Sequence, residues 1–388
     1  MTKKARRIVN TSESPFPIIS VEGSPYDCGY QYGCQCGSLI AKSIDTYQKA
    51  FKDDLNLDWK GALDLGKKFA PDIEDYDPDG VEEMRGIAKG SGRTFDEILV
   101  LQSKTELKFL ASVGGLEGCT TIAATPEATR SKCTLVGKNW DWIPESQKLG
   151  VILKKKRKGK PNSVALTEAG LLTRDGFNSA GLCIVANALA SDKWRFGVPL
   201  HIILNRIISS TTLNDAMTAV LSAKRASSNN YMIVHAMGEA LTIEAAPCDY
   251  NVIWAKEGML VHSNHFTAPN PNIKDLLPNL HPNTLTRLER AKKLLAMEHG
   301  KIDNQVLKNI LMDHFDKPFS ICWHPDERVD PSHRLQTNAS FIINLTRRTF
   351  EIALGPPCKN EYVSLKFEDI MSGYSPAGKN ETKKTERG

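Results

Sequence analysis

The sequence lacks the long apolar segments that a membrane-spanning protein needs. No run of about 18 apolar residues occurs along its 388 positions, so no membrane span is expected. The basic start of the chain is not followed by an apolar stretch, and a secretory signal is therefore not expected either. The sequence predicts a cytoplasmic protein with no membrane partner.

An excess of charge of one sign is also missing. The chain has 50 Lys and Arg residues against 45 Asp and Glu, a net charge of +5. A broad basic face of the kind that binds phosphates is not expected, so no nucleic-acid partner is predicted. The basic run 154–160 could attract a phosphate-rich group such as coenzyme A. Lysines that protect an exposed hairpin edge explain this run equally well.

Several motifs of cofactor and metal chemistry are absent. The glycine patterns of nucleotide-binding loops, the H-E-x-x-H zinc motif and the G-x-S-x-G serine motif do not occur. The nine cysteines are odd in number and scattered, which fits free thiols better than a disulfide framework. Cys28, Cys34 and Cys36 form the only cluster, and without a second pair we expect them to pack on a helix rather than bind zinc. No metal and no bound cofactor are predicted.

Two parts of the chain differ in their hydrophobic pattern. Residues 25–110 have apolar residues at helical spacing, and a capping box of Thr94 and Glu97 opens the helix predicted over 94–109. After Gly114 and Gly115 the chain alternates between short β-branched runs and helical segments. The strands are predicted at 119–124, 134–140, 151–156, 164–169, 182–186, 231–235, 241–245, 252–254 and 341–345, and the helices at 199–209, 213–223, 284–298 and 303–314. Helices in pairs between blocks of strands favour an α+β layered sandwich over a doubly wound parallel sheet.

The strongest candidate for chemistry is the bond between Gly118 and Cys119. A peptide bond after glycine is sterically open. If it were cut, Cys119 would carry a thiol with an ordinary pKa of ~8.5 and an α-amine with an ordinary pKa of ~7.7–8.0. That amine can accept the thiol proton without a partner histidine, whereas the amide of the uncut chain cannot. The uncut chain would therefore be a zymogen. A cysteine–histidine–asparagine protease site and a plain core cysteine are the alternatives.

Seven short segments, spread in order over nearly the whole chain, match one family of enzymes. They are residues 29–33, 118–121, 137–142, 178–182, 262–266, 320–324 and 355–358. On these segments the sequence resembles the acyl-coenzyme A:6-aminopenicillanate (isopenicillin N) acyltransferase family, the C45 peptidase group of the N-terminal-nucleophile hydrolase superfamily. The resemblance implies a four-layer αββα sandwich and self-cleavage between Gly118 and Cys119. Residues 1–118 would form a helical α chain and residues 119–388 a β chain, both staying in one particle. The tail after about residue 374 is polar, and its composition predicts disorder.

The resemblance also implies a set of site residues around Cys119. Asp141 matches an aspartate that holds the α-amine and polar groups of the substrate, although a turn role is the alternative. Asn264 matches the oxyanion-hole side chain of the family. Asn187 matches a second oxyanion asparagine of the related bile-salt hydrolases, and Arg287 resembles their arginine near the nucleophile, which could lower the thiol pKa.

Other residues near these segments have plainer explanations. Arg287 lies among other charged residues on a predicted helix, where a solvated face is the ordinary outcome. Trp140, Trp142 and Phe177 could line an acyl pocket, although aromatic residues are more often part of a core. His262 and His265 are expected to be structural, because the mechanism does not need them.

The predicted enzyme is an acyltransferase or a hydrolase of linear amides. It would form an acyl-thioester on Cys119 from a small amide or an acyl-coenzyme A and pass the acyl group to water or an amine. Coenzyme A would be a substrate carrier rather than a bound cofactor. The alternatives are a hydrolase of amino-acyl conjugates, such as β-alanyl amines, and a non-catalytic binding protein that keeps the fold.

Overall fold

The structure is a computed structural model that describes residues 14–111, 118–270, 272–330 and 334–367. The tail predicted to be disordered, and Gly114 and Gly115, lie outside the described residues. Within these ranges no helix combines the length and the apolar character that crossing a membrane requires.

The first part of the chain is mainly helical, as predicted. It consists of β1 (Ile18–Gly23), α1 (Pro25–Leu55), α2 (Trp59–Gly66), α3 (Ala70–Tyr76), α4 (Pro78–Ser91), α5 (Phe95–Gln102) and α6 (Lys104–Ala111). The capping box is present, since the Thr94 hydroxyl accepts from the Glu97 N–H at 3.2 Å and the Glu97 carboxylate accepts from the Thr94 N–H at 2.8 Å. The single helix predicted over 94–109 is wrong, because Ser103, with φ −103° and ψ 12°, separates α5 from α6.

Glycines bring helices α1 and α4 into close contact. A Cβ atom added at Gly29 would lie 1.9 Å from the carbonyl oxygen of Glu83, and one at Gly86 would lie 2.2 Å from that of Tyr26. No side chain fits at these distances, so the two helices can cross only where both present glycine. The segment 29–33, one of the seven matching segments, is thus a helix-packing surface. Cys28 and Cys36 are buried on α1 as predicted, whereas Cys34 is exposed on the same helix.

The second part of the chain supplies the remaining strands and helices. The strands are β2 (Gly118–Ala124), β3 (Leu135–Trp142), β4 (Gly150–Arg157), β5 (Ser163–Glu168), β6 (Asp175–Asn178), β7 (Leu182–Ala188), β8 (Asn229–His235), β9 (Ala240–Ala245), β10 (Tyr250–Trp254), β11 (Met259–His262), β12 (Gln336–Asn344), β13 (Thr349–Leu354) and β14 (Val363–Lys366). The helices are α7 (Leu200–Ile208), α8 (Leu213–Leu221), α9 (Leu277–Leu280), α10 (Asn283–Met297) and α11 (Asn304–Leu311). All nine predicted strands occur within a few residues of their predicted bounds.

The strands form two sheets. One has the order β1-β4-β5-β6-β7-β8-β9-β10 and the other the order β11-β2-β3-β12-β13-β14. Neighbouring strands are antiparallel except for β1, which pairs in parallel with β4. One apolar core lies between helices α1–α8 and the eight-stranded sheet, a second lies between the sheets, and a third joins the six-stranded sheet to α10 and α11. This order of layers confirms the predicted α+β class and the αββα sandwich.

The basic run 154–160 does not protect a hairpin edge. Strand β4 lies between β1 and β5, so its backbone is paired on both sides. Lys155 is buried and bonded to the Glu83 carboxylate, and Arg157 lies 3.7 Å from that same carboxylate. The edge explanation is therefore wrong for the part of the run that lies in the strand.

The segment before Gly118 is joined to the sandwich by backbone and buried polar contacts. Strand β1 extends the eight-stranded sheet over six residue pairs. The Tyr47 hydroxyl donates to Glu168 on β5 at 2.9 Å, and Glu168 also pairs with Lys104. The Gln102 side chain donates to the carbonyl of Gly170 at 2.7 Å. Cutting the chain at residue 118 would leave all of these contacts in place.

Candidate active site

Cys119 lies at the start of β2, one strand in from the edge of the six-stranded sheet. It is fully buried and directly opposite Trp140 on β3. Directly opposed residues of an antiparallel pair point to the same face of the sheet. Both side chains belong to the core between the two sheets, whereas Ile122 and Ala124 on the same strand pack toward α10 and α11.

The backbone of Cys119 is held on both sides by side chains. Its N–H donates to Oδ1 of Asn264 at 2.8 Å, and its carbonyl oxygen accepts from Nη1 of Arg287 at 2.6 Å. The Asn264 oxygen also accepts from Nη2 of Arg287 at 2.9 Å. These three residues therefore form a closed ring of hydrogen bonds, which fixes the orientation of Cys119.

Arg287 is buried, not part of a solvated helix face. It lies one turn into α10, on the face that packs against the six-stranded sheet, and is 2% exposed. Burial lowers its pKa, and the nearby Asp141 carboxylate opposes this shift. Because an arginine side chain stays charged in proteins, the structure places a permanent positive charge beside Cys119.

Asp141 lies opposite Gly118 in the pairing of β2 with β3. Its Oδ1 accepts from the Thr337 hydroxyl at 2.7 Å, while its buried Oδ2 has no hydrogen-bond partner among the described residues. Burial raises the pKa of Asp141 from 3.8 to about 6, against the opposing effects of the Arg287 charge, the Thr337 hydrogen bond and the Lys138 charge. One carboxylate oxygen is therefore available beside the Gly118–Cys119 bond.

Gly118 is tightly enclosed. A Cβ atom at this position would lie 2.9 Å from the Trp323 ring and 3.2 Å from Oδ2 of Asp141. The guanidinium of Arg287 lies 5.4 Å from the centre of the same ring. Glycine is thus the residue that fits before Cys119, because any side chain would displace Trp323 or the Asp141 carboxylate.

Asn187 reaches the site from the other sheet. It lies on β7, and its Nδ2 is 3.5 Å from the carbonyl oxygen of Cys119. Its Oδ1 accepts from Thr121 and from Asn230, each at 3.0 Å. These two bonds fix the amide so that its NH₂ group faces the backbone of the candidate nucleophile.

Asn264 does not have the orientation of an oxyanion donor in this uncut chain. Its oxygen accepts from Cys119 and Arg287, and its NH₂ group donates to the carbonyl of Ala188 at 3.0 Å. The Cys119 N–H and Nη2 of Arg287, which both contact this oxygen, can only donate hydrogen bonds. The amide therefore cannot be reversed without losing these bonds. The residue is at the site as predicted, but its side-chain oxygen is the atom that faces Cys119.

Two of the predicted pocket aromatics are close to the nucleophile. Trp140 is opposite Cys119, and the Arg174 guanidinium lies 4.2 Å from the centre of its indole. Trp142, two residues on, has the Lys108 ammonium 4.4 Å from its ring centre. Cations at this distance from an indole face are attracted to it. Both indole nitrogens are buried without a hydrogen-bond partner in the described part of the chain.

Phe177 is not brought to the site. Its ring packs edge-on against Phe350 at 6.3 Å and against Phe367 at 6.4 Å. Phe350 lies on β13, which is separated from β2 by β12 and β3, so three strand spacings of ~4.8 Å lie between them. The prediction that Phe177 lines the pocket with Cys119 is wrong on this geometry, because an apolar residue on an inner strand can belong to any part of the core.

The two histidines beside Asn264 have structural contacts. His262 is bonded to the Glu244 carboxylate at 2.8 Å and to the carbonyl of Ser263 at 2.9 Å. Burial, with the charges of His262 and Arg287, lowers the pKa of His265 to about 4. A base this weak does not take up a thiol proton at neutral pH, which agrees with the structural role expected for these residues.

Several residues of the site could not be identified from their spacing in the sequence. Trp323 encloses Gly118, Thr337 orients Asp141, and the Thr284 hydroxyl accepts from the backbone N–H of Asn264 at 2.8 Å. Trp323 lies in the matching segment 320–324, and that match is the signal in the sequence that could have identified it. The two threonines carry no local pattern, because their roles depend on contacts across the fold.

Comparisons with known proteins show which family this chain resembles in sequence. The model of the family "acyl-coenzyme A:6-aminopenicillanic acid acyl-transferase" matches residues 128–359, more than half of the chain. The acyl-coenzyme A:6-aminopenicillanic-acid-acyltransferase 40 kDa form of Emericella nidulans is 28% identical over 313 residues, which cover 78% of this chain and 84% of that protein. An uncharacterized protein of Archaeoglobus fulgidus is 23% identical over 361 residues, 80% of this chain and 60% of that protein.

Two solved structures are similar to parts of the sandwich. A mutant conjugated bile acid hydrolase from Clostridium perfringens has a TM-score of 0.47 and 14% identity, covering 65% of this chain and 93% of that one. Penicillin V acylase from Agrobacterium tumefaciens has a TM-score of 0.41 and 11% identity, covering 61% and 83%.

This chain belongs to the acyl-coenzyme A:6-aminopenicillanic acid acyl-transferase family. The family predicted from the seven segments is therefore confirmed, and with it the class of enzyme, an acyltransferase or amide hydrolase.

Proposed function

We propose that this protein is a self-cleaving amidohydrolase or acyltransferase whose nucleophile is Cys119. In the first reaction, Sγ of Cys119 attacks the carbonyl carbon of Gly118. The carbon–nitrogen bond between the two residues breaks as the nitrogen takes up the thiol proton, and a thioester forms. Water then hydrolyses the thioester, which leaves a carboxylate on Gly118 and a free α-amine on Cys119.

In each later turnover the liberated α-amine acts as the base. It takes the thiol proton while the sulfur attacks the carbonyl carbon of an amide or an acyl-coenzyme A. The proton then passes to the departing amine or thiolate, and the acyl group stays on sulfur as a thioester. Water or an acceptor amine attacks that thioester and restores the thiol. Coenzyme A enters as a carrier of the acyl group.

The observation that carries this proposal is the set of unpartnered polar atoms around the Gly118–Cys119 bond. Oδ2 of Asp141, Nε of Arg287 and the indole nitrogens of Trp140 and Trp142 are buried without a hydrogen-bond partner in the described ranges. Buried polar atoms are nearly always paired in folded proteins, and unpaired ones each call for an explanation. The explanation we propose is that their partners arrive later, as the α-amine freed by cleavage or as polar groups of the substrate.

The contacts of the uncut chain support distinct roles for the surrounding residues. The oxygen of Asn264 accepts from the nitrogen that becomes the α-amine, and the Asp141 carboxylate lies beside Gly118, so we assign both residues to hold that amine. Arg287 fixes the Cys119 carbonyl and supplies positive charge that favours the thiolate. Asn187 has its NH₂ group directed toward the site and is the better oxyanion donor in this state, while the same role for Asn264 would require its amide to leave Ala188 after cleavage.

The two fragments are proposed to stay in one particle. The α chain would keep β1 in the eight-stranded sheet and the buried pairing of Tyr47 and Lys104 with Glu168. A cytoplasmic location and the lack of a nucleic-acid partner remain predictions.

The acyl-enzyme provides the test of this function. Incubation with a panel of acyl-coenzyme A thioesters and β-alanyl amides is expected to raise the mass of the β chain by one acyl group, and hydroxylamine is expected to remove it. If added amines compete with water for the acyl group, the protein is a transferase; release to water alone identifies a hydrolase. An uncut chain whose Cys119 does not react with a thiol-directed probe would contradict the proposal and favour a binding protein.

The pH dependence of self-cleavage should report Asp141. Only the ionised carboxylate can stabilise the amine that forms, and the pKa of Asp141 is about 6, so we expect the wild-type rate to rise as pH increases through about 6. Asp141→Asn should remove this step and slow cleavage on the order of 10²-fold. Time courses of the uncut chain between about pH 4.5 and about pH 8.5 provide the measurement.

Two checks accompany this experiment. Asp64→Asn, at an exposed carboxylate on α2, should leave the profile unchanged. Because folding raises the pKa of Asp141, its ionisation destabilises the folded chain as pH rises through about 6, so Asp141→Asn should be more stable than wild type at neutral pH. A persistent step near pH 6 in the variant would assign the titration to another group.

A further inference from the structure

Four side chains that the proposed mechanism does not use meet beside the six-stranded sheet. His314, Cys322 and His324 lie between α11 and β12, and Cys358 lies between β13 and β14. One nitrogen or sulfur from each lies within 4.8 Å of all the others. We propose that these residues bind one Zn²⁺ ion in a tetrahedral structural site.

The distances agree with shared coordination of a zinc ion. Nε2 of His324 lies 3.1 Å from Nε2 of His314, 3.5 Å from Sγ of Cys322 and 3.4 Å from Sγ of Cys358. With zinc–nitrogen bonds of ~2.0–2.1 Å and zinc–sulfur bonds of ~2.3 Å, tetrahedral geometry separates two nitrogens by ~3.3 Å and a nitrogen from a sulfur by ~3.5 Å. All three separations are therefore close to those of a formed site.

Hydrogen bonding alone does not account for this cluster. Nε2 of His324 carries either one hydrogen or one lone pair, yet three polar atoms lie within 3.5 Å of it. At most one of these contacts can be a good hydrogen bond. A cation at the centre of the cluster makes every one of them favourable, because the two sulfurs bind as thiolates and the imidazoles bind through their lone pairs.

The ligand types select the metal and its role. Two thiolates and two imidazoles suit zinc, whereas magnesium and calcium prefer oxygen ligands. Four protein ligands leave no open position for water or substrate, as in structural rather than catalytic zinc sites. Cys322 and His324 are buried while His314 and Cys358 are exposed, so an ion can enter from solvent.

The proposed ion would fix the loop that carries Trp323. This residue lies between Cys322 and His324, and its backbone N–H and carbonyl are both bonded to Thr337, at 3.0 and 3.1 Å. Thr337 in turn orients Asp141, and the Trp323 ring encloses Gly118. This consequence for the scissile bond rests on the proposed function, whereas the metal site itself does not.

Zinc was not predicted from the sequence, because the ligands have no paired local spacing. They follow the pattern H-x7-C-x-H-x33-C, which lacks the two close pairs of a zinc finger. The fold brings Cys358 to the others only through the turn after β13.

Metal analysis of the full chain tests this site. Protein purified under reducing conditions, loaded with Zn²⁺ and freed of excess metal, should retain one zinc per chain by mass spectrometry. Cys358→Ser and His314→Gln should each weaken zinc binding at least about 100-fold, more than the loss of an outer-shell partner usually costs. Cys34→Ser and Cys248→Ser, at exposed cysteines outside the cluster, should retain one zinc.

Two further measurements keep the result independent of folding and of cleavage. Loading wild-type protein with Co²⁺ should produce the visible bands of a tetrahedral ion and thiolate-to-metal charge transfer, which require no variant. The Cys119→Ala chain should bind zinc equally, so a failure of self-cleavage would not affect the outcome. A Cys322–Cys358 disulfide in protein isolated without oxidant, or a wild-type chain that retains no metal, would overturn the proposal.

Discussion

Replacing Cys119 with alanine is expected to leave a single uncut chain of 388 residues and to abolish activity. Wild-type protein should separate under denaturing conditions into fragments of residues 1–118 and 119–388. The sulfur is the attacking atom in both reactions, so its removal should reduce turnover on the order of 10⁴-fold or more. Denaturing electrophoresis, and a turnover assay with an acyl donor that labels the wild-type β chain, measure the two effects.

Cys183 provides a matched control for this substitution. It is a buried cysteine on β7 that packs in the same core between the sheets. Cys183→Ala removes a similar volume from that core but no reacting atom, so it should still give two fragments and retain activity. If Cys119→Ala were cut like the wild type, the sulfur would not be the nucleophile.

The second large effect is expected from Arg287→Met. This change keeps most of the buried volume but removes the bonds to the Cys119 carbonyl and to Asn264. It also removes the positive charge that lowers the pKa of Asp141. We expect self-cleavage to slow about 10²- to 10³-fold, the approximate cost of losing an oriented donor. We also expect the pH step, the pH at which the rate of self-cleavage rises, to move above about 6.

The shift of the pH step separates this role from a merely structural one. A general loss of packing lowers the rate without moving the step, whereas loss of a charge beside Asp141 moves it upward. Arg287→Lys, which restores charge but not the two-pronged geometry, should bring back part of the shift. Lys293→Met, at an exposed position on the same helix, should change neither quantity. An unmoved step in Arg287→Met would contradict the electrostatic role.

The α+β class of this fold could be predicted from the sequence because the pattern behind it is local. Periodic apolar residues identify the helices, and β-branched runs identify nine strands. The missed strands are β1, β6, β11, β13 and β14, of four to six residues each. Runs this short carry little periodicity, and β1 joins the sheet only through a parallel partner more than 100 residues away, a pairing that no local pattern contains.

The candidate site was predictable where a side chain lies next to Cys119 in the strand pairing. Asp141 and Trp140 are examples, since both follow from the matched segment on β3. The burial of Arg287 was not predictable, because the charges around it on α10 are typical of a solvated face. Arg287 is buried because the six-stranded sheet covers one side of α10 and leaves the other side exposed.

The orientation of side chains at the site could not be predicted from the sequence. The resemblance places Asn264 at the site, yet which end of its amide faces Cys119 depends on Arg287 and on the carbonyl of Ala188, both distant in the chain. Phe177 fails for a similar reason, since its position in the core depends on how one sheet lies over the other. The zinc ligands likewise meet only after β12 and β13 have paired.

The identity of the new amino terminus tests the central claim most directly. Edman degradation of the larger wild-type fragment should begin with Cys119, followed by Thr120 and Thr121, because the amine that activates the sulfur belongs to that same residue. Active protein whose peptide bond before Cys119 is intact would contradict the account, since its sulfur would be reacting without the base on which the mechanism depends.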